Sequence, residues 1–236
     1  VTPQRGVPAI QWSLDKVFMA DTPELLPRSL WIGIILLLAF LTLACLLSVG
    51  ELQHRRPPLR VLGQIADFTL TNENGAVTTL ANLTNHVWVA DIIFTRCAGP
   101  CPRITGQMKG IQDVFPETSD TRFVTLTTDP DYDSPKILKR YGERFNADFN
   151  RWMFLTGTKA QIADVAANSL KLGTTPIAPA DQKNSVDLFI HTTIFVLVDK
   201  HARMRGIYQT GGPDVDWTNK TRPALLADIR RLEREP

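Results

Sequence analysis

Two cysteines, Cys97 and Cys101, stand four positions apart in the stretch Phe94-Thr95-Arg96-Cys97-Ala98-Gly99-Pro100-Cys101-Pro102, directly after an apolar run. Sulfurs at that spacing suit two chemistries, soft-metal binding and thiol–disulfide exchange. Dithiol oxidoreductases typically place two residues between their cysteines. This turn carries three, which leaves room for an ion between the sulfurs. Pro102 fits the first position of a helix, which puts Cys101 at the cap and Cys97 in the turn before it. The partial positive charge of a helix start, with Arg96 and Arg103 on either side, is expected to favour thiolates.

His191 is the second candidate. It begins an apolar strand beside Thr192 and Thr193. A lone histidine there is commonly a hydrogen-bonded structural residue. The sharper expectation is a third ligand that meets the two sulfurs. Two cysteine sulfurs and one imidazole suit copper in either oxidation state, Cu(I) or Cu(II). A closed zinc site would want a fourth protein ligand, and none is in view. His54, His86 and His201 are expected to be solvated. Thioredoxin-fold oxidoreductases usually carry a cis-proline just before the strand facing the dithiol. Here His191-Thr192-Thr193 takes that place. Asp129-Pro130-Asp131-Tyr132-Asp133-Ser134-Pro135 follows a strand end. A turn and helix cap explain it, and a supporting role for Asp129 or Asp133 behind the cysteines is the alternative.

These residues need a frame. Val87 to Phe94 has the near-continuous apolar character of a strand covered on both faces. A helix is predicted from Pro102 to about Phe115, a strand over Arg122 to Thr127, and a helix from Ser134-Pro135 to about Phe145. Trp152 to Leu155 is a short strand, and Thr158 caps a helix to about Leu170. Residues 171–188 are irregular. Ile190 to Val198 is a strand, with Arg205 to Gln209 as its partner, and Thr221 to Glu235 is an amphipathic closing helix. Before all of these, Phe68 to Leu80 forms a small hairpin turning at Asn74-Gly75. The order predicts an α/β fold, a thioredoxin-like mixed sheet flanked by helices.

Upstream, residues 29–49 form an uncharged run of the length that spans a bilayer core, predicting an N-terminal transmembrane helix. Cys45 lies inside it, as a small lipid-facing or helix-packing residue. Residues 1–28 are a leading arm, with Ile10, Leu14, Val17 and Phe18 on one helical face and Asp21-Thr22-Pro23 as a helix start. Residues 50–62 are a linker stiffened by Pro57-Pro58, and 63–236 make the remaining domain. A net charge of +2, with acids and bases interspersed, excludes a nucleic-acid partner as the main business of the chain. With three cysteines, a disulfide scaffold is also excluded. Lys16 and Arg28 before the span and Arg55, Arg56 and Arg60 after it slightly favour a cytoplasmic C-terminal domain by charge.

The chain resembles the Sco/SenC family of copper chaperones for cytochrome oxidase assembly. The matching pieces are FTRCAGPCP at 94–102, TTDPDYDSP at 127–135, WMFLTG at 152–157 and His191 within FIHTTIFVLVD at 189–199. The resemblance implies copper held by Cys97, Cys101 and His191 and delivered to the binuclear copper site of an oxidase subunit. Other copper chaperones or thiol reductants are further implied partners. It also implies an inner-membrane, single-pass protein whose domain faces the periplasm, against the weak charge bias. The family commonly has proline after its first cysteine, where this chain has Ala98. The competing expectation is a thiol–disulfide reductase that keeps the oxidase subunit's cysteines reduced, with Cys97 attacking and Cys101 resolving. A thiol peroxidase on the same fold lacks its usual partner residues.

Overall fold

A computed structural model of the chain describes residues 28–54, 57–172 and 193–236. The predicted features of the leading arm, the first residues of the 190–198 strand, His191 and most of the irregular 171–188 stretch lie outside the described residues. The chain divides into two units between Pro57 and Pro58.

In the first unit, α1 runs Arg28–His54. Its described side chains, over 29–45, expose large apolar groups at consecutive positions, Leu30, Trp31 and Ile32 among them. Over 29–45 the helix therefore shows no charged face. Among the described residues no helix is long and apolar enough to cross a membrane.

The second unit is built on a six-stranded mixed sheet. Its strands are β1 (Gly63–Gln64), β4 (Trp88–Ile93), β5 (Arg122–Thr127), β6 (Trp152–Leu155), β7 (Ile194–Val198) and β8 (Arg203–Gln209), in the order β1-β8-β7-β4-β5-β6. β4, β5 and β6 are parallel, while β7 and β8 run antiparallel beside them. The hairpin β2 (Thr69–Thr71) and β3 (Val77–Thr79) forms as predicted, turning at Gly75 with φ 79°. A left-handed backbone there favours glycine.

β4 is buried along its whole length. Alternate side chains serve two cores. Trp88, Ala90 and Ile92 face the hairpin and the 159–172 segment. Val89 and Ile93 face α2 (Cys101–Gln112), α3 (Pro135–Arg144) and α5 (Arg222–Arg234). Helices therefore flank the sheet on the side that also holds Cys97 and Cys101.

Two boundaries differ from expectation. α2 begins at Cys101, not Pro102. Pro100 is already helical (φ −73°, ψ −24°) and its carbonyl accepts the Ile104 N–H at 3.0 Å, so the helix starts one residue earlier. The helix capped by Thr158 is regular only over α4 (Lys159–Ala163) and continues as π turns over Asp164–Ser169. The wider turns let Val165, Ala166, Leu170 and Leu172 all reach the core, and Ser169 Oγ meets the Ala66 N–H.

Candidate metal and dithiol site

The cysteine turn hangs on the C-terminal end of β4. Cys97 N–H donates to the Phe94 carbonyl at 3.1 Å, closing a turn, and Gly99 N–H donates to Cys97 Sγ at 3.3 Å. Both sulfur-bearing residues are buried, Cys101 more deeply than Cys97, and both thiols are free. Burial, and then the hydrogen bond to Cys97, push the Cys101 thiol up to about 12. That corrects the expectation of thiolates at both positions: in the apo protein Cys101 holds its proton, because desolvation outweighs the helix start.

The flanking arginines do not serve the sulfurs. Arg96 donates from Nε and Nη2 to Asp129 and stacks over the Tyr132 ring, its guanidinium carbon 4.1 Å from the centroid. Arg103 reaches the other way, to the Thr210 carbonyl at the end of β8. Gln107, one turn along α2, donates to the same carbonyl at 3.0 Å.

The 129–133 loop braces the cysteine turn from behind. Ile93 pairs with Thr127 in the parallel register, so the loops after β4 and β5 lie side by side. The buried Asp133 carboxylate accepts from Thr95 N–H at 3.0 Å, from the Thr95 hydroxyl and from the Thr127 hydroxyl. Burial raises its pKa even against those donors. Both acids singled out in the sequence therefore hold residues just before Cys97, Asp129 through Arg96 and Asp133 through Thr95.

Asp91 escaped the sequence reading. It shares the β4 face of Val89 and Ile93, beneath the cysteines, with Thr125 opposite on β5. It is 1 % exposed, and neither carboxylate oxygen has a normal hydrogen bond from the protein. Burial raises its pKa to about 7, while the Thr125 hydroxyl and its own backbone N–H pull the other way. Thr125 is itself engaged, its hydroxyl accepting from Trp152 Nε1 at 2.9 Å. Tyr141 completes this floor. Its hydroxyl meets that of Thr105 at 3.0 Å, and Thr105 donates to the Cys101 carbonyl. The available signal for Asp91 was a single carboxylate inside VWVADIIF, six residues before Cys97.

His191 lies outside the described residues, but the chain re-enters two residues later. Thr193 stands beside β8: its carbonyl accepts the Thr210 N–H at 2.7 Å and its hydroxyl donates to the Gly211 carbonyl at 3.0 Å. Thr210 is the residue gripped by Arg103 and Gln107 of the cysteine helix. Among the described residues no group of three or more potential ligands is gathered. Two buried free thiols in one turn fit a soft cation and a disulfide equally well. The remaining histidines are elsewhere. His201 is exposed, as expected. His86 is not simply solvated: its Nδ1 is buried without a partner, and burial, then Arg122, lowers its pKa. The His54 side chain lies outside those described.

The SCO1/SenC family model matches residues 62–225. The SCO1 protein homolog of Bacillus subtilis is 34% identical over 148 residues, 62% of this chain and 72% of that protein. A solved structure of BsSco, described as a member of the Sco family of cytochrome c oxidase assembly proteins with a disulfide switch, is 27% identical. It has a TM-score of 0.62, covering 76% of this chain and 99% of that one. Bradyrhizobium japonicum ScoI, solved with copper bound, is 22% identical with a TM-score of 0.55, covering 71% and 98%. At that identity it shows the thioredoxin-like Sco fold alone. With a cysteine pair at the end of β4, a brace from 129–133 and this sheet order, the chain belongs to the SCO1/SenC family.

Proposed function

We propose that the chain is a membrane-anchored copper chaperone that holds copper through Cys97, Cys101 and His191 and passes it to the copper-binding subunit of a cytochrome oxidase. The observation that carries this reading is the hydrogen-bonded path from the cysteine helix to Thr193. Arg103 and Gln107 donate to the Thr210 carbonyl, and Thr210 N–H donates to Thr193. A residue two positions from Thr193 has a reach of roughly 7 Å along the chain. The family supports the cargo: the SCO1/SenC model matches residues 62–225, and a protein named for that family, ScoI of Bradyrhizobium japonicum, has been solved with copper bound. Copper is cargo here, and the protein's part is to offer two sulfurs and a nitrogen without locking them away from a recipient. The anchor is the uncharged run over 29–49, which lies within α1. Residues 50–62 then serve as a stalk, with the domain facing the periplasm.

Anaerobic Cu(I) titration of the reduced full chain in detergent micelles tests this. One copper per chain is expected, lost in Cys97→Ser and weakened in His191→Ala. A chain that takes up no copper would overturn the proposal.

A second reading is favoured by Asp91. For disulfide reduction, the Cys97 thiolate attacks a partner disulfide and one partner thiolate leaves. Cys101 then gives up its proton and attacks the Cys97 sulfur, releasing the second partner thiol and closing Cys97–Cys101. A protonated Cys101 needs a base, and Asp91 is a buried carboxylate coupled electrostatically to it. Disulfide exchange that is active in a chain unable to bind copper would establish this reading.

A further inference from the structure

One helix and the loop leading into it hold the cysteine turn from both sides. α3 begins at Pro135, just after Asp133 and its cap residue Ser134. Asp133 is buried and accepts from the Thr95 N–H at 3.0 Å and from the Thr95 hydroxyl, two residues before Cys97. Further along α3, Tyr141 is buried in the same core as Cys97 and Cys101. Its hydroxyl lies 3.0 Å from that of Thr105, a fully buried residue of α2. Thr105 donates its own proton to the Cys101 carbonyl at 3.0 Å, so the Tyr141 hydroxyl is the donor between the two. A single stretch, 133–141, therefore grips the turn upstream of Cys97 and downstream of Cys101. Both thiols are free while these bonds are made. A disulfide accepts only a narrow range of Cβ positions, and here the backbone on either side of the pair is set from α3.

We propose that Asp133 and Tyr141 are positioning residues: from one element they hold the cysteine turn in its open dithiol form and oppose closure of Cys97–Cys101. The proposal deepens the reading of this pair as the working site. An open pair is the form a soft cation can enter, and a closed disulfide is not. Closure itself needs an oxidant, here a low-molecular-weight disulfide. Cys97 sulfur attacks it and one thiol leaves. Cys101 sulfur then attacks Cys97, the second thiol leaves, and the Cys97–Cys101 bond is formed.

The test is a redox equilibrium of the full chain in detergent micelles against mixtures of reduced and oxidised glutathione, in a Cys45→Ser background so that only the pair titrates. The disulfide fraction is read by mass after alkylation. Tyr141→Phe removes the donor and keeps the ring. Thr95→Val removes the hydroxyl from Asp133 and keeps the N–H bond. Each is expected to shift the equilibrium roughly 3- to 10-fold toward the disulfide, the net worth of one hydrogen bond. Thr95→Ser, which keeps the hydroxyl, should leave it unmoved. Thr95 is only half-buried, so its variant reads the grip even where a change in the core at Tyr141 is not tolerated. Bonds that merely support the fold would stabilise both redox forms alike. Reduced and oxidised chains would then lose the same stability to urea, and the glutathione equilibrium would stay in place. That result, or a shift toward the dithiol, overturns the proposal. No copper enters the measurement, so failure of copper uptake and failure of the grip are separate results.

Discussion

The two ends of the sheet each bury an aspartate, and treat it in opposite ways. β7 runs antiparallel to β4, so Asp199, just after β7, lies at the end away from the cysteines. It is 3 % exposed and surrounded by donors: the N–H groups of His201 and Arg203, Arg203 Nε at 2.8 Å and Arg205 Nη1 at 2.6 Å. Burial alone would raise its pKa, but the Arg203 N–H, the two guanidinium groups and the His201 N–H outweigh it and hold the pKa low. Arg205 extends the network to Glu235 and to the Leu59 carbonyl, so the entry and exit of the domain are tied at this end. Asp91, buried to the same degree toward the cysteine end, has no such partner. A buried charge with a full shell of donors is structural. One left bare is a cost the fold carries, and such groups concentrate where chemistry needs them.

The largest expected effect breaks the satisfied end. Arg205→Met leaves Asp199 buried with two backbone N–H groups and one half-exposed arginine, and should cost about 3–5 kcal/mol of stability by urea unfolding at pH 7. The contribution of Asp199 also has a sign in pH. Its folded pKa is low, so its stability is present above the ordinary value near 3.8 and fades as pH falls through the folded pKa. An Arg205→Met chain as stable as the parent would show that the network adds nothing.

The bare end should respond in the opposite direction. The folded pKa of Asp91, about 7, lies above its ordinary 3.8, so its favourable contribution is complete below about pH 4 and gone above about pH 7. Asp91→Asn should therefore raise stability by up to roughly 4 kcal/mol at pH 8 and change it little at pH 4. The pH dependence of the unfolding midpoint reads this directly, and an equal gain at both pH values would contradict it. The same variant should slow disulfide closure if the carboxylate takes the Cys101 proton.

A smaller effect is expected between these extremes. Asp133 is buried and raised like Asp91, yet hydrogen-bonded like Asp199. Asp133→Asn turns one acceptor into a donor facing the Thr95 and Thr127 hydroxyls, at about 1–3 kcal/mol. Because Thr95 adjoins the cysteine turn, alkylation of Cys97 should quicken. Unchanged alkylation with lowered stability would leave Asp133 as a structural acid only.

Much of this frame was legible because it is local. β5 and β6 lie where β-branched and aromatic residues predict them, and the hairpin follows from Asn74-Gly75. The start of α2 was misplaced by one residue because Pro100, with its φ already fixed, serves as the cap that Cys101 was expected to be. The π turns after Ala163 answer to core packing around Leu170 and Leu172, which local propensity does not encode. The site was half legible. The spacing of Cys97 and Cys101 marked it, but their protonation did not follow from neighbours in sequence, since Arg96 and Arg103 both turn to tertiary partners. Asp91 stayed hidden because one carboxylate barely disturbs the apolar pattern of a strand buried on both faces.

The hairpin also does something for the sheet as an object among other copies of itself. β6 is the last strand on its side, and a last strand carries unpaired N–H groups that can recruit a foreign strand. Glu73, buried in the hairpin turn, accepts the Phe154 N–H at 3.0 Å, and Thr71 and Thr156 exchange backbone hydrogen bonds beside it. A carboxylate thus occupies the docking point that a templating strand would need. On that flank the sheet is finished: it cannot be lengthened by a neighbour without first dislodging an acid from its own turn.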